Sequence, residues 1–274
     1  MPMNSFKESL LEQCEQLNSR LCVGLDMDAS RFSGSGDVSL DELKSFTRMV
    51  IDSTIEHTAI FKLNFAFYER YGSEGFKWME ETVKYIDSRR LTIADAKRGD
   101  IGNTACQYAA SIFDHFGFHA VTVNPYMGRD AILPFSEYKE KGVFVLCLTS
   151  NKGSQDLQLK EVDGMPLYHK VIEMVKEINE YDNCGFVVGA THPEELIGVR
   201  QNASDMPLLI PGIGAQGGDL ESCVKEGNTN GLALINVSRG ILYAGKKGAE
   251  SIHKAAKEYN DRINQILKGE PANV

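Results

Sequence analysis

Eight short apolar segments recur along the chain, each followed by a stretch of helical period, and this alternation limits the fold more than any other feature. The segments are LCVGLD (21–26), AIFKLNF (59–65), LTIADAK (91–97), AVTVNPY (120–126), VFVLCLTS (143–150), GFVVGA (185–190), PLLIPGIG (207–214) and GLALINVS (231–238). They are near-continuous apolar runs, the pattern of strands covered on both faces. Between them lie helix-compatible stretches such as LDELKSFTRMVIDSTIEH, SEGFKWMEETVKYIDSRR and LYHKVIEMVKEINEY. Over 274 residues without a break in composition, the pattern predicts α/β architecture. A single (β/α)8 TIM barrel over residues 1–274 fits the count and length better than an open doubly wound sheet. The start, MPMNSFKESLLEQCEQL, predicts an amphipathic helix ahead of the first strand rather than a signal peptide, since charges interrupt it and no apolar core region follows. MDASRFSGSGDVS, after the first strand, predicts a surface loop, and residues 268–274 a frayed tail.

Net charge is −9 and basic residues occur only in short pairs such as Lys246-Lys247, which argues against nucleic acid or an anionic membrane as a partner. A small anionic ligand stays open, because one positioned arginine suffices for a phosphate. The six cysteines (14, 22, 106, 147, 184 and 223) form no C-x-x-C pair and several lie in apolar runs. They predict reduced core residues and a cytoplasmic location. No run of 18 apolar residues exists to span a membrane.

In a barrel of this kind chemistry gathers where the strands end. Here those ends carry Asp26, Lys62, Asp95 with Lys97, Asn124, Ser150, PGIGAQGG and Ser238-Arg239. The densest cluster is DAKRGD, 95–100. Period-two geometry places Asp95 and Lys97 on one face, roughly 6–7 Å apart along the backbone, with Ala94 and Ala96 opposite. If a helix starts near Asp100, that residue and Thr104 share its first turn. Lys62, one strand earlier, can approach from the flank and complete an array of two lysines and two aspartates. A solvated cluster of ion pairs is the plainer alternative, at about 0–1 kcal/mol per pair. In a shielded site, a lysine held between carboxylates keeps its charge and makes a proton donor rather than a Schiff-base nucleophile.

GIGAQG (212–217) matches G-x-G-x-x-G, but it follows the seventh strand, and the eighth ends in Ser238-Arg239 rather than an acid. A phosphate site made from loops after strands seven and eight therefore fits better than a dinucleotide fold, with tight turns as the plainer alternative. His115 and His119 stand four apart, but HFGFH contains glycine and aromatics, so packing is preferred to metal ligation. No Ser-His-Asp or Cys-His set is evident from spacing.

With these residues in view, the chain resembles the orotidine 5′-phosphate decarboxylase family in its longer bacterial and archaeal form. The resemblance rests on VGLD (23–26), FKLNFAFYE (61–69), DAKRGDIGNT (95–104), VNPYMG (123–128), TSNKGS (149–154), PGIGAQGGD (211–219) and SRGILYA (238–244). It implies decarboxylation of orotidine 5′-phosphate to UMP, the last step of de novo pyrimidine nucleotide synthesis, with no cofactor and no metal. It further implies a charged tetrad of Lys62, Asp95, Lys97 and Asp100, with Lys97 protonating C6 of the pyrimidine. Asp26 would bind ribose hydroxyls, Ser150 the pyrimidine edge, Gln216 base and phosphate, and Arg239 the phosphate. Ser238 stands where shorter members often carry glycine. The resemblance also implies a homodimer in which Asp100 and Thr104 serve the neighbouring subunit's site. A metal-dependent sugar-phosphate decarboxylase or lyase with the same D-x-K-x-x-D, and a non-catalytic nucleotide-binding barrel, remain as alternatives.

Overall fold

Every strand expected from the apolar runs forms, and all but the third end earlier than their runs. In a computed structural model of the chain, described for residues 5–32, 38–191, 193–203, 205–213 and 219–270, eight parallel strands close into a barrel. They are β1 (Leu21–Gly24), β2 (Ile60–Asn64), β3 (Leu91–Arg98), β4 (Ala120–Val123), β5 (Gly142–Leu148), β6 (Cys184–Val188), β7 (Leu208–Pro211) and β8 (Ala233–Val237). Each pairs in parallel with its sequence neighbours, and β1 closes the ring on β8 through Leu21↔Ile235, Cys22↔Asn236 and Val23↔Val237. The runs overshoot because the residues beyond each strand turn away to build the rim. After β4, for example, Asn124 caps a 3-10 turn at Pro125–Met127 through its side chain.

The alternation hidden in these apolar runs decides what lies inside. Cys22, Ile60, Ile93, Ala120, Phe144, Val187, Leu209 and Leu234 form one buried cluster, distinct from the larger one beneath the helices. Two residues further along the strands the same faces carry Gly24, Lys62, Asp95, Thr122, Leu146, Pro211 and Asn236. The barrel interior is thus apolar at the N-terminal end and polar at the C-terminal end.

The N-terminal helix Phe6–Gln16 plugs the apolar end. Ser5 and Glu8 form a reciprocal capping box that fixes where it starts. Its buried stripe, Phe6, Leu10 and Cys14, joins the inner cluster. Phe6 meets Phe144 edge-on at 6.1 Å, and a Cβ on Gly142 would sit 2.3 Å from the Phe6 ring, so β5 must begin with glycine.

The outer helices follow the expected period. Leu40–Thr54 starts at another capping box, Ser39 with Glu42, and buries Leu43, Phe46, Thr47, Val50, Ile51 and Thr54. Its four large apolar side chains contribute gross burial of about 6–12 kcal/mol, at about 1.5–3 kcal/mol each. Helix Ala249–Leu267 packs on it and carries the chain back toward β1. Of the tail expected to fray from residue 268, Lys268, Gly269 and Glu270 still bond back to the last helical turn, and 271–274 lie outside the described residues.

One element has no counterpart among the expected strands. Glu161–Val162 pairs antiparallel with Met165–Pro166 in the connection after β5. Its turn is Asp163-Gly164, both at positive φ (53° and 79°), the dipeptide favoured by a two-residue hairpin. Five cysteines are buried, as expected of core residues, but Cys106 is exposed on helix Gly102–Ala110. All six are free thiols. Among the described residues, no helix is long and apolar enough to cross a membrane.

Candidate active site

Polar inward positions converge at the C-terminal end of the barrel on a cavity of about 520 Å³. Asp26, Lys62, Asp95, Lys97, Ser150, Ser238 and Arg239 all line it. Gln216 lies outside the described residues.

The centre of the site is a chain of alternating charge. Lys62 Nζ stands 3.8 Å from Asp26 Oδ1 and 2.9 Å from Asp95 Oδ2, and the other Asp95 oxygen accepts a 2.6 Å bond from Lys97 Nζ. Lys62 is 4 % exposed and Asp95 11 %, whereas Lys97 is 49 % exposed and reaches toward the cavity. Burial alone would lower the Lys62 pKa, but the Asp26 and Asp95 charges outweigh it and hold the ammonium above its ordinary range. Burial likewise opposes ionisation of Asp95, and Lys62 and Lys97 overcome it, holding the carboxyl well below the usual carboxylate range. Within one chain, therefore, the lysine flanked by two carboxylates is Lys62, and the array runs Asp26–Lys62–Asp95–Lys97. Such a string of buried and half-buried charges is stable only with every partner in place.

Asp95 and Lys97 share the cavity face, but not through a regular strand. β3 pairs with β4 at Ala94↔Val121 and next at Arg98↔Val123, so Asp95, Ala96 and Lys97 together face the single Thr122. This is a bulge, which re-aims side chains beside a site. Within it Lys97 adopts φ 46°, a left-handed conformation costing about 1–2 kcal/mol for a residue with a Cβ. Thr122 holds the bulge in place: its Oγ1 accepts from Lys97 N at 3.0 Å and donates to Asp95 Oδ1 at 3.0 Å. Sequence reasoning passed over Thr122, although a buried hydroxyl inside AVTV on the inward parity was the available signal.

The rest of the charged cluster has other work. Arg98 points away from the cavity, donates to Glu69 Oε1 at 2.7 Å and lies over the rings of Phe65 and Tyr108, both at 5.1 Å. It fastens the rim after β2 to helix Gly102–Ala110. Asp100 precedes that helix rather than sitting in its first turn, and its Oδ1 accepts from Ile101 N at 2.8 Å. Thr104 is in the first turn and exposed. Neither lines the cavity of its own chain. Ile101, Tyr108, Tyr126 and Met127 are also exposed along this rim.

Ser150 reaches the cavity because β5 and β6 end close together. A Cβ on Gly189 would fall 2.6 Å from Ser150 N and 2.8 Å from its Cα, so only glycine allows the approach. The adjoining loop is tied back by Gln158, whose Oε1 accepts from Thr149 N at 2.8 Å. Gln158, Asn64 and Asn236 line the cavity too. Asn236, inward in an apolar strand, was legible in principle, whereas Gln158 comes from a loop that period cannot place. Asp26 Oδ1 is buried without a hydrogen-bond donor. Arg239 opens the short helix Arg239–Leu242 at the cavity edge, an exposed cation on the side away from β3. His115 and His119 take the packing role: His119 Nδ1 is 3.2 Å from Thr92 N, and His115 lies edge-on to Phe116 at 4.8 Å.

The arrangement offers a buried anion, a cation able to move a proton, hydroxyl and amide groups for a polar ring, and an arginine for a dianion, all around one cavity. The chain as a whole is similar to known proteins in sequence and fold. A curated relative from Dehalococcoides mccartyi, named orotidine 5′-phosphate decarboxylase, is 46% identical over 271 residues, covering 96% of this chain and 98% of the relative. One of the same name from Natronomonas pharaonis is 44% identical over 270 residues, covering 95% and 99%. The solved OMP decarboxylase of Leishmania donovani superimposes with a TM-score of 0.85 at 39% identity, covering 96% of this chain and 98% of that one. The sequence model of the orotidine 5′-phosphate decarboxylase / HUMPS family matches residues 19–255, and the chain belongs to that family.

Proposed function

We propose that this chain decarboxylates orotidine 5′-phosphate to UMP, using its own side chains and no cofactor or metal. The observation that carries this reading is the Lys62–Asp95–Lys97 array under a cavity with Arg239 at its edge. The difficulty of the reaction is a carbanion at C6 whose electrons lie in the plane of the ring, out of conjugation with its carbonyls. A cation placed where that charge appears lowers the barrier, because the interaction strengthens only in the transition state. As the bond from C6 to the carboxyl carbon breaks, its electron pair stays on C6 and carbon dioxide leaves. Lys97 transfers a proton to C6, and its amine is reprotonated from solvent. Asp95, kept ionised by its two lysines, would stand near the departing carboxylate and add repulsion in the ground state.

In this assignment Lys62 orders Asp95 and meets a ribose hydroxyl. Asp26, with an undonated buried oxygen, accepts from the ribose. Ser150 reads the pyrimidine edge, Gln216 bridges base and phosphate, and Arg239 with the Ser238 amide binds the phosphate. The working unit is a homodimer in which Asp100 and Thr104 complete the partner's site. Their absence from their own cavity and the exposed Ile101, Tyr108, Tyr126 and Met127 support this. Six free thiols favour a reducing compartment such as the cytoplasm.

The test is loss of orotidine 5′-phosphate absorbance in the ultraviolet with purified protein in EDTA. Turnover that survives chelation and disappears in a folded Lys97→Ala variant is expected. Activity that requires an added divalent metal would favour a metal-dependent lyase of the same superfamily. Bound UMP without any turnover would favour a non-catalytic barrel.

A further inference from the structure

At the opposite end of the barrel from the cavity, two imidazoles and a carboxylate converge from separate elements. Glu56 and His57 lie in the connection between helix Leu40–Thr54 and β2, and His253 lies near the start of helix Ala249–Leu267. One potential donor atom from each falls within 4.8 Å of the others. The rings stand 5.0 Å apart, tilted by 56°. We propose that Glu56, His57 and His253 form a site for a divalent transition metal of the zinc type, with solvent completing the coordination.

Three further observations point to a ligand. His253 Nδ1 lies 3.1 Å from the carbonyl oxygen of Ser53, the bond by which a protein usually orients a metal-binding imidazole and leaves Nε2 available. His57 Nε2 is buried and has no hydrogen-bond partner, an arrangement that costs free energy unless something binds it. The backbone under the site is held firmly. His57 O accepts from Ser19 Oγ at 2.7 Å, His57 N donates to Thr54 O at 2.9 Å, and Arg90 Nε donates to the carbonyls of Ile55 and Thr58 at 3.0 and 2.9 Å. Donor side chains carried on pinned backbone are what a metal site requires. Glu56 is exposed, so an ion can reach the converging donors from solvent. Imidazole and carboxylate donors suit zinc, copper or nickel rather than calcium or magnesium. A bound ion would clamp the turn before β2 to the C-terminal helix, remote from the cavity.

The test uses the full-length chain without an affinity tag, stripped with EDTA, desalted, and titrated with Zn²⁺ by calorimetry and with Co²⁺ by visible absorption. One equivalent should bind, with the intense visible bands of low-coordinate Co²⁺, and the thermal midpoint should rise with metal concentration. His253→Gln and Glu56→Gln should each weaken binding at least about tenfold. Glu56 is on the surface, so its variant folds even if the histidine variants do not, and circular dichroism verifies this. No saturable binding, or binding unchanged by these substitutions, overturns the proposal. Metal binding is read directly, so the result does not depend on the decarboxylase reaction.

Discussion

Replacing Lys62 with methionine removes the one cation lying between two buried carboxylates while keeping the bulk of the side chain. At an effective dielectric constant of about 20, its attraction is about 6 kcal/mol for a charge 2.9 Å away and about 4 kcal/mol at 3.8 Å, the distances to Asp95 and Asp26. Much of this is offset in the native protein by the cost of burying the ammonium, and Lys97 still neutralises one side of Asp95. The net loss expected at neutral pH is about 3–5 kcal/mol, the usual cost of leaving a buried charge without its partner. The pH dependence separates this cause from lost packing. In the native chain the folded Asp95 pKa lies below its unfolded value of 3.8, so its stabilising contribution is fully present above that value and is lost only in acid. In Lys62→Met the Asp95 carboxyl loses one of the two cations that hold its pKa down, so that pKa rises toward the ordinary carboxylate range and the penalty shrinks as pH falls from 7 to about 3.5. Urea unfolding of both proteins at the two pH values measures this. An unchanged midpoint at pH 7, or a penalty equal at both pH values, would refute the electrostatic account.

Thr122→Val leaves Asp95 without a hydroxyl donor and Lys97 N without an acceptor, so kcat/KM should fall by about 10–100-fold, equivalent to about 1.5–3 kcal/mol for a hydrogen bond to a charged group. A fall below threefold would mean that the bulge holds itself. Arg239→Ala should lower kcat/KM for orotidine 5′-phosphate while leaving that for orotidine, which has no phosphate, unchanged; equal losses on both would remove the phosphate role. Mixing Lys97→Ala with Asp100→Ala subunits should restore up to about a quarter of the native sites for a dimer shuffled at random, by the symmetry of shared interfaces. Heterodimers that form but stay inactive would contradict Asp100 acting across the interface.

The sequence by itself determined the barrel and most of the rim. Eight apolar runs alternating with helical periods leave few closed arrangements, and the polar residues ending those runs, Asp26, Lys62, Asp95, Lys97, Ser150 and Arg239, do gather around one cavity. Strand parity is local, so it is readable from sequence spacing alone. Only the tertiary structure decided which charges touch. Asp26 follows β1 and Lys62 lies in β2, so their approach depends on the pairing of those strands rather than on period. Lys97 arrives through a bulge in left-handed backbone, held by a threonine from the next strand. Arg98 and Asp100, close to Asp95 and Lys97 in sequence, do not line the cavity, and Arg98 bonds to Glu69 instead. The Glu56, His57 and His253 cluster gave no signal in spacing, because nearly two hundred residues separate its halves and only the packing of helix Ala249–Leu267 on helix Leu40–Thr54 brings them together.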